Sequence, residues 1–210
     1  MVNILSGVNV FGNNWRDWET QSGFVTERDA KDYFLKAIGP SGFFDIHTEV
    51  HGEVQLKPYK WATYGTTTAS VRLDALMIPT AKAVESGWHL GAWLVEFKRS
   101  HVGIGPPICQ ICDYLTTTYE VPGVGEKVIA NYGFLFPAKP IYGGPLASFV
   151  SQNRAGTATV CEGEIASEDQ NKKRLFSFYC GQSLIFNFYR DGSFGISKKE
   201  YKCGLKTGSR

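Results

Sequence analysis

The sequence predicts an α/β fold, a central mixed sheet flanked by helices, on three observations. Apolar residues recur at helical spacing between residues 26 and 38, three β-like segments follow in succession, and a proline-initiated helical segment then leads into an apolar run suited to a buried strand.

Each element has a local cause. Thr26 is placed as a helix cap, and Asp29 three residues later completes a capping box. Ala30, Phe34, Ala37 and Ile38, joined by Tyr33, form the inward stripe, and Gly39-Pro40 ends the helix. Glu27 lies three residues before Ala30 and seven before Phe34, on the inward side. From residue 43 to 54 the chain alternates, with Phe44, Ile46, Thr48 and Val50 on one side and Asp45, His47, Glu49 and His51 on the other. Residues 69–78, ASVRLDALMI, and 91–100, GAWLVEFKRS, read as two further strands joined by a loop containing Pro79 and Gly87. Pro106 and Pro107 fit a first helical turn, where a missing N–H costs nothing, and Ile108, Ile111, Cys112 and Leu115 make the buried face of that helix. Residues 127–136, KVIANYGFLF, are apolar enough for a strand covered on both faces. Beyond Pro137 the pattern turns to short β-like segments, and LIFNFYR and SFGIS flank Asp191-Gly192, a strong hairpin signal. The organisation expected is an irregular lead-in over residues 1–24, a core over 25–140, and a β-rich basic extension over 141–210 packed on that core.

Composition narrows the function. At 210 residues and 43% hydrophobic, the chain can bury one sizeable core. It has no apolar run near the ~20 residues a membrane helix needs, and residues 1–19 lack a basic segment followed by a hydrophobic one, so a cytoplasmic protein without a membrane partner is expected. Five scattered cysteines, an odd number, argue for reduced thiols; Cys109 and Cys112 form a CxxC without further ligands at suitable spacing. His47, His51, His89 and His101 form no zinc motif. The net charge of +2 conceals an asymmetry: residues 166–210 hold nine Lys and Arg against four Asp and Glu, leaving thirteen basic and sixteen acidic groups before them. An acidic body that could hold cations beside a basic tail that could hold phosphates suits a nucleic-acid enzyme; a solvated Lys-rich surface explains the tail equally well.

Asp74, Glu96 and Lys98 carry the chemistry. Glu96 and Lys98 are two apart on one strand and so project from one face, with Trp93, Val95 and Phe97 on the other. Asp74 sits in the apolar stretch VRLDALMI, where an unpaired carboxylate would be costly; Arg72, on the same face, is one partner it could take. If the two strands pair about Glu85, positions that sum to 170 face each other, and Asp74 meets Glu96. Two carboxylates that close need a cation between them. Asp191, Glu200 and Lys202 repeat the D…ExK spacing, but Asp191 falls in a turn and only eight residues follow Lys202, so that match is read as accidental.

The stretch RLDAL…VEFKRS…QICDY, in the order helix, three strands, helix, strand, resembles the PD-(D/E)XK nuclease superfamily with its restriction-endonuclease-like core. Gln110 and Tyr114 reproduce the QxxxY pattern of its RecB-like branch on the helix after the catalytic strand. The likeness spans roughly residues 25–136; no proline precedes Asp74, and the four-cysteine cluster of some RecB-like members is missing. The resemblance implies a nuclease acting on nucleic acid, DNA before RNA, with Mg2+ or Mn2+ held by Asp74, Glu96, the Phe97 carbonyl and Glu27, for which Glu49 is a rival. It further implies that Lys98 orients or activates the attacking water, that Gln110 positions the lysine or substrate, and that Tyr114 contacts the nucleic-acid backbone. Arg99 and His101, just after the catalytic strand, are expected near substrate phosphates. The basic extension is expected to grip substrate or form a contact between copies in a homo-oligomer.

Overall fold

The computed structural model describes residues 19–56, 67–142, 144–161, 173–181 and 183–196. Its backbone is one nine-stranded mixed sheet with helices on both faces. Helix α1 spans Glu27–Ile38, and its cap forms as expected: the Asp29 N–H donates to Thr26 Oγ1 at 3.1 Å and the Thr26 N–H donates back to Asp29 Oδ2 at 2.8 Å. Strands β1 (Phe44–Leu56), β2 (Thr67–Pro79) and β3 (Trp93–Phe97) follow, paired antiparallel, with a short helix α2 (Ala81–Glu85) in the β2–β3 connection that was expected to be loop. Helix α3 (Gly105–Tyr114) leads through the two-residue strand β4 (Thr118–Tyr119), which pairs with β1, to β5 (Tyr132–Phe136), parallel to β3.

After residue 140 the chain opens with a helix, α4 (Gly144–Gln152), and not with a strand. Strands β6 (Ala155–Val160), β7 (Arg174–Cys180), β8 (Ser183–Tyr189) and β9 (Phe194–Ile196) then extend the same sheet outward from β5. The segment therefore shares its hydrogen-bond ladder with the residues before it, where an extension packed on the core was expected. β6 carries Gly156 where β7 approaches most closely: a Cβ there would lie 1.9 Å from the Tyr179 carbonyl oxygen, so no other residue fits. The β8–β9 hairpin turns at Asp191-Gly192, with Gly192 at φ 81 and the Ser193 N–H donating to Asp191 Oδ1, as its sequence predicts. Glu200 and Lys202 of the second D…ExK match lie outside the described residues.

Two cores sandwich the sheet. Under α1 the core is aromatic, and Phe34 is its hub, with ring centroids 5.0 Å from Phe136, 5.2 Å from Phe176 and 5.4 Å from Phe97. Phe194 belongs to this packing, edge-on to Phe43 and Trp88. Under α3 and α4 it is aliphatic, built on Leu73, Leu76, Leu94, Ile108, Ile111 and Val150. Every residue of β3 is buried, which corrects the expectation of one apolar and one charged face: Leu94 and Glu96 are covered as well, because a helix lies on that side too. The expected alternation of β1 is also broken. Phe44 and Ile46 join the aromatic core but Val50 joins the aliphatic one, because Glu49 between them has φ 56 and reverses which face the next side chain meets.

Candidate active site

The site forms where β2 parts from β3. The paired residues are Ala75 with Val95, Leu76 with Leu94 and Met77 with Trp93, so opposite positions sum to 170 as the sequence argument requires. Asp74 and Glu96 are the next positions along the two strands, just beyond the last pair. There the ladder ends, while β2 runs on beside β1 as far as Thr67 opposite Leu56. Asp74 closes the end by accepting the Phe97 N–H at Oδ2, 2.8 Å away. Arg72 is not its partner: Arg72 Nη1 lies 3.0 Å from Glu49 Oε2.

Glu96 is the buried acid, with a side chain only 4% exposed. Burial, and then the nearby charge of Asp74, push its carboxyl up to about 7 against the pull of Lys98. Lys98 Nζ donates to Glu96 Oε1 at 2.6 Å and stands 3.5 Å from Glu27 Oε1. Burial works against the lysine's charge, but Glu96, Glu27 and Asp74 outweigh it, so its pKa is raised above the ordinary lysine value. Desolvation governs the acid, and the surrounding carboxylates govern the amine. Glu96, Asp74, Glu27 and Lys98 thus meet in one place, and fully ionised they sum to −2.

This donor set tests the expected Mg2+ or Mn2+. The acids offer only carboxylate oxygens, the chemistry of a hard divalent cation, and the residual negative charge would be met by one. Among the described residues no three His, Cys, Asp or Glu side chains are gathered into a ready cage. Lys98 stands between two of the acids instead. The donors fit in kind and charge, and are not pre-assembled.

The remaining expected residues divide. Gln110 and Tyr114 share a face of α3 and bond to each other through Nε2 and the phenol oxygen. Tyr114 is corrected: it is buried, and its hydroxyl donates to the Arg72 carbonyl at 2.9 Å, so it braces β2 from the aliphatic core and offers no surface to a nucleic-acid backbone. Burial pushes its phenol up to about 12. Arg99 is exposed. His101, at φ 58, turns toward Glu19 Oε2 at 3.3 Å and borders a cavity of about 620 Å3 with Lys139 and Tyr142. Of the two rival acids, Glu27 reaches Lys98, whereas Glu49 is held by Lys31 and Arg72. Cys109 and Cys112 are free thiols, and burial pushes Cys112 up to about 12.

Sequence reasoning missed Thr20. Its buried hydroxyl donates to the Arg99 carbonyl at 2.6 Å and accepts the Val102 N–H at 3.0 Å, pinning the loop that follows Lys98. No periodicity marks a residue that acts through one hydroxyl in an irregular segment. No helix among the described residues is long and apolar enough to cross a membrane. No family model, curated protein or solved structure matches this chain.

Proposed function

We propose that this chain is a metal-dependent nuclease of the PD-(D/E)XK type that hydrolyses phosphodiester bonds, DNA being the favoured substrate. The observation that carries the reading is the meeting of Asp74 and buried Glu96 at the end of paired strands, with Lys98 and Glu27 against them. The element order helix, three strands, helix, strand, interrupted by a 3-10 turn at Gly39–Ser41, by α2 and by β4, is consistent with the restriction-endonuclease-like core.

Asp74, Glu96, Glu27 and the Phe97 carbonyl would hold Mg2+ or Mn2+. Such an ion supplies Lewis acidity at the phosphate and makes its water a better nucleophile. Glu96 must lose its proton to serve as a ligand. Lys98 donates hydrogen bonds, orients or activates the attacking water, and offsets the negative charge that develops on the phosphate. Glu27 keeps the amine in place when Glu96 turns to another partner. Gln110, through Tyr114, steadies β2 next to Asp74.

The existing pairing of Lys98 with Glu96 and Glu27 favours a second reading, a nuclease-like module that binds nucleic acid or protein without cutting. Incubation with supercoiled, linear and single-stranded DNA and with RNA, in Mg2+, Mn2+ or chelator, separates the two. Cleavage that needs metal and disappears in Lys98→Ala and Asp74→Ala supports the nuclease. Binding that ignores metal, with no cleavage by the wild type, supports the module.

A further inference from the structure

Glu49 lies on β1 between Thr48, which pairs with Ala75, and Val50, which pairs with Leu73, so it falls beside Asp74 of β2 at a break in the pairing. It is in the left-handed region at φ 56, a conformation uncommon for a residue other than Gly or Asn, within an otherwise extended strand. Its side chain is exposed, so no apolar packing explains the choice of Glu there. Both carboxylate oxygens are taken by cations: Lys31 Nζ at 2.7 Å and Arg72 Nη1 at 3.0 Å. Each cation adjoins the catalytic cluster. Lys31 lies one helical turn after Glu27, which touches Lys98, and Arg72 lies two residues before Asp74.

We infer that Lys31 and Arg72 form a binding site for a phosphate of the nucleic-acid strand, adjacent to the one being cut, and that Glu49 occupies that site until substrate displaces it. A carboxylate bridging an amine and a guanidinium through two oxygens has the recognition chemistry of a phosphodiester's two free oxygens. The left-handed Glu49 backbone sends Val50 into the aliphatic core and leaves the Glu49 carboxylate at the surface, where it bridges the two cations. The Lys31 hydrogen bond holds the Glu49 carboxyl below its ordinary value, so the carboxylate remains a charged competitor. The inference rests on the nuclease reading for its ligand, but the site acts in binding and not in the chemical step.

The test is fluorescence anisotropy with a labelled 20-nucleotide single strand and its duplex, in Ca2+ to suppress cleavage, over a series of salt concentrations. Lys31→Ala and Arg72→Ala should each raise Kd about tenfold and make the log–log salt slope shallower by about 0.7 to 1. Glu49→Gly, which also removes the backbone strain, should tighten binding by about five- to tenfold and steepen the slope by a similar step. Glu49→Asn, which also tolerates φ above zero, should match it, so a folding defect in one variant does not decide the result. Cation variants that bind like wild type, or Glu49 variants that bind no tighter, overturn the proposal. Weaker Mn2+ binding by Glu49→Gly also overturns it, by making Glu49 a metal ligand. Lys98→Ala separates the two levels: if it binds normally and fails to cut while the Lys31 and Arg72 variants behave like wild type, the nuclease stands and the clamp falls. A wild type that neither binds nor cuts removes both.

Discussion

Asp74 lies on the strand between two that each carry a glutamate, Glu96 on β3 and Glu49 on β1, and the two live in opposite environments. Glu96 is 4% exposed, and burial beside another acid pushes its carboxyl up to about 7. Glu49 is 46% exposed, and the hydrogen bond from Lys31 holds its carboxyl below the ordinary value. Both have a lysine at 2.6–2.7 Å. The same residue type with the same partner is therefore a proton-binding group near neutral pH in one place and a fixed anion in the other. Desolvation decides the difference, because the lysine attraction is present in both.

α1 supplies partners to both acids, Glu27 toward Lys98 beside Glu96 and Lys31 to Glu49, and Phe34 anchors it. Phe34→Ala should cost ~3–5 kcal/mol in denaturant unfolding and loosen both sets together. A loss under ~1 kcal/mol would mean that α1 is not what holds them. Lys98→Ala should lower cleavage by ~10²–10³-fold, measured as kcat on plasmid DNA. Near-normal turnover would leave the buried acid without a catalytic partner.

Next comes pH. The fold favours protonated Glu96, so its stabilising contribution is complete below about 4.5 and is lost as pH rises through about 7, a change of roughly 3 kcal/mol. Metal-free wild type should therefore lose stability across that window, in unfolding curves, and Glu96→Gln should not. Over the same window Mn2+ affinity, by calorimetry, should rise about tenfold per pH unit and level off above about 7, since the ion displaces a proton. An affinity flat from pH 5 to 8 would show that Glu96 is not a ligand. Smallest is Glu49→Gln, whose exposed pairs are worth about 0–1 kcal/mol in stability. A much larger loss would place Glu49 among the buried, structural ion pairs and erase the contrast with Glu96.

The strand register beside the candidate site was more legible than the surrounding fold. The register of β2 and β3 followed from where two β-like runs lie about Glu85, even though that connection hides α2, because the short helix leaves the pairing offset unchanged. The capping box and the Asp191-Gly192 hairpin were legible because their causes are local to a few residues. α4 was not, since its nine residues follow a stretch of Gly and Pro that reads as turns. Nor was the reversal at Glu49, because a single left-handed residue leaves no trace in an alternating pattern. Tyr114 at the end of α3 looked available until Leu73, Ile111 and the neighbouring aliphatic residues closed over it.

By itself the sequence determined which residues carry charge and on which elements they fall, because caps, turns and periodicity act over a few positions. Only the tertiary structure decided which acids are desolvated, which cation each one meets, and that β6 to β9 prolong one sheet. Those outcomes depend on what covers a strand from elsewhere in the chain, and coverage, through burial, sets both the charge state of Glu96 and the exposure of Glu49.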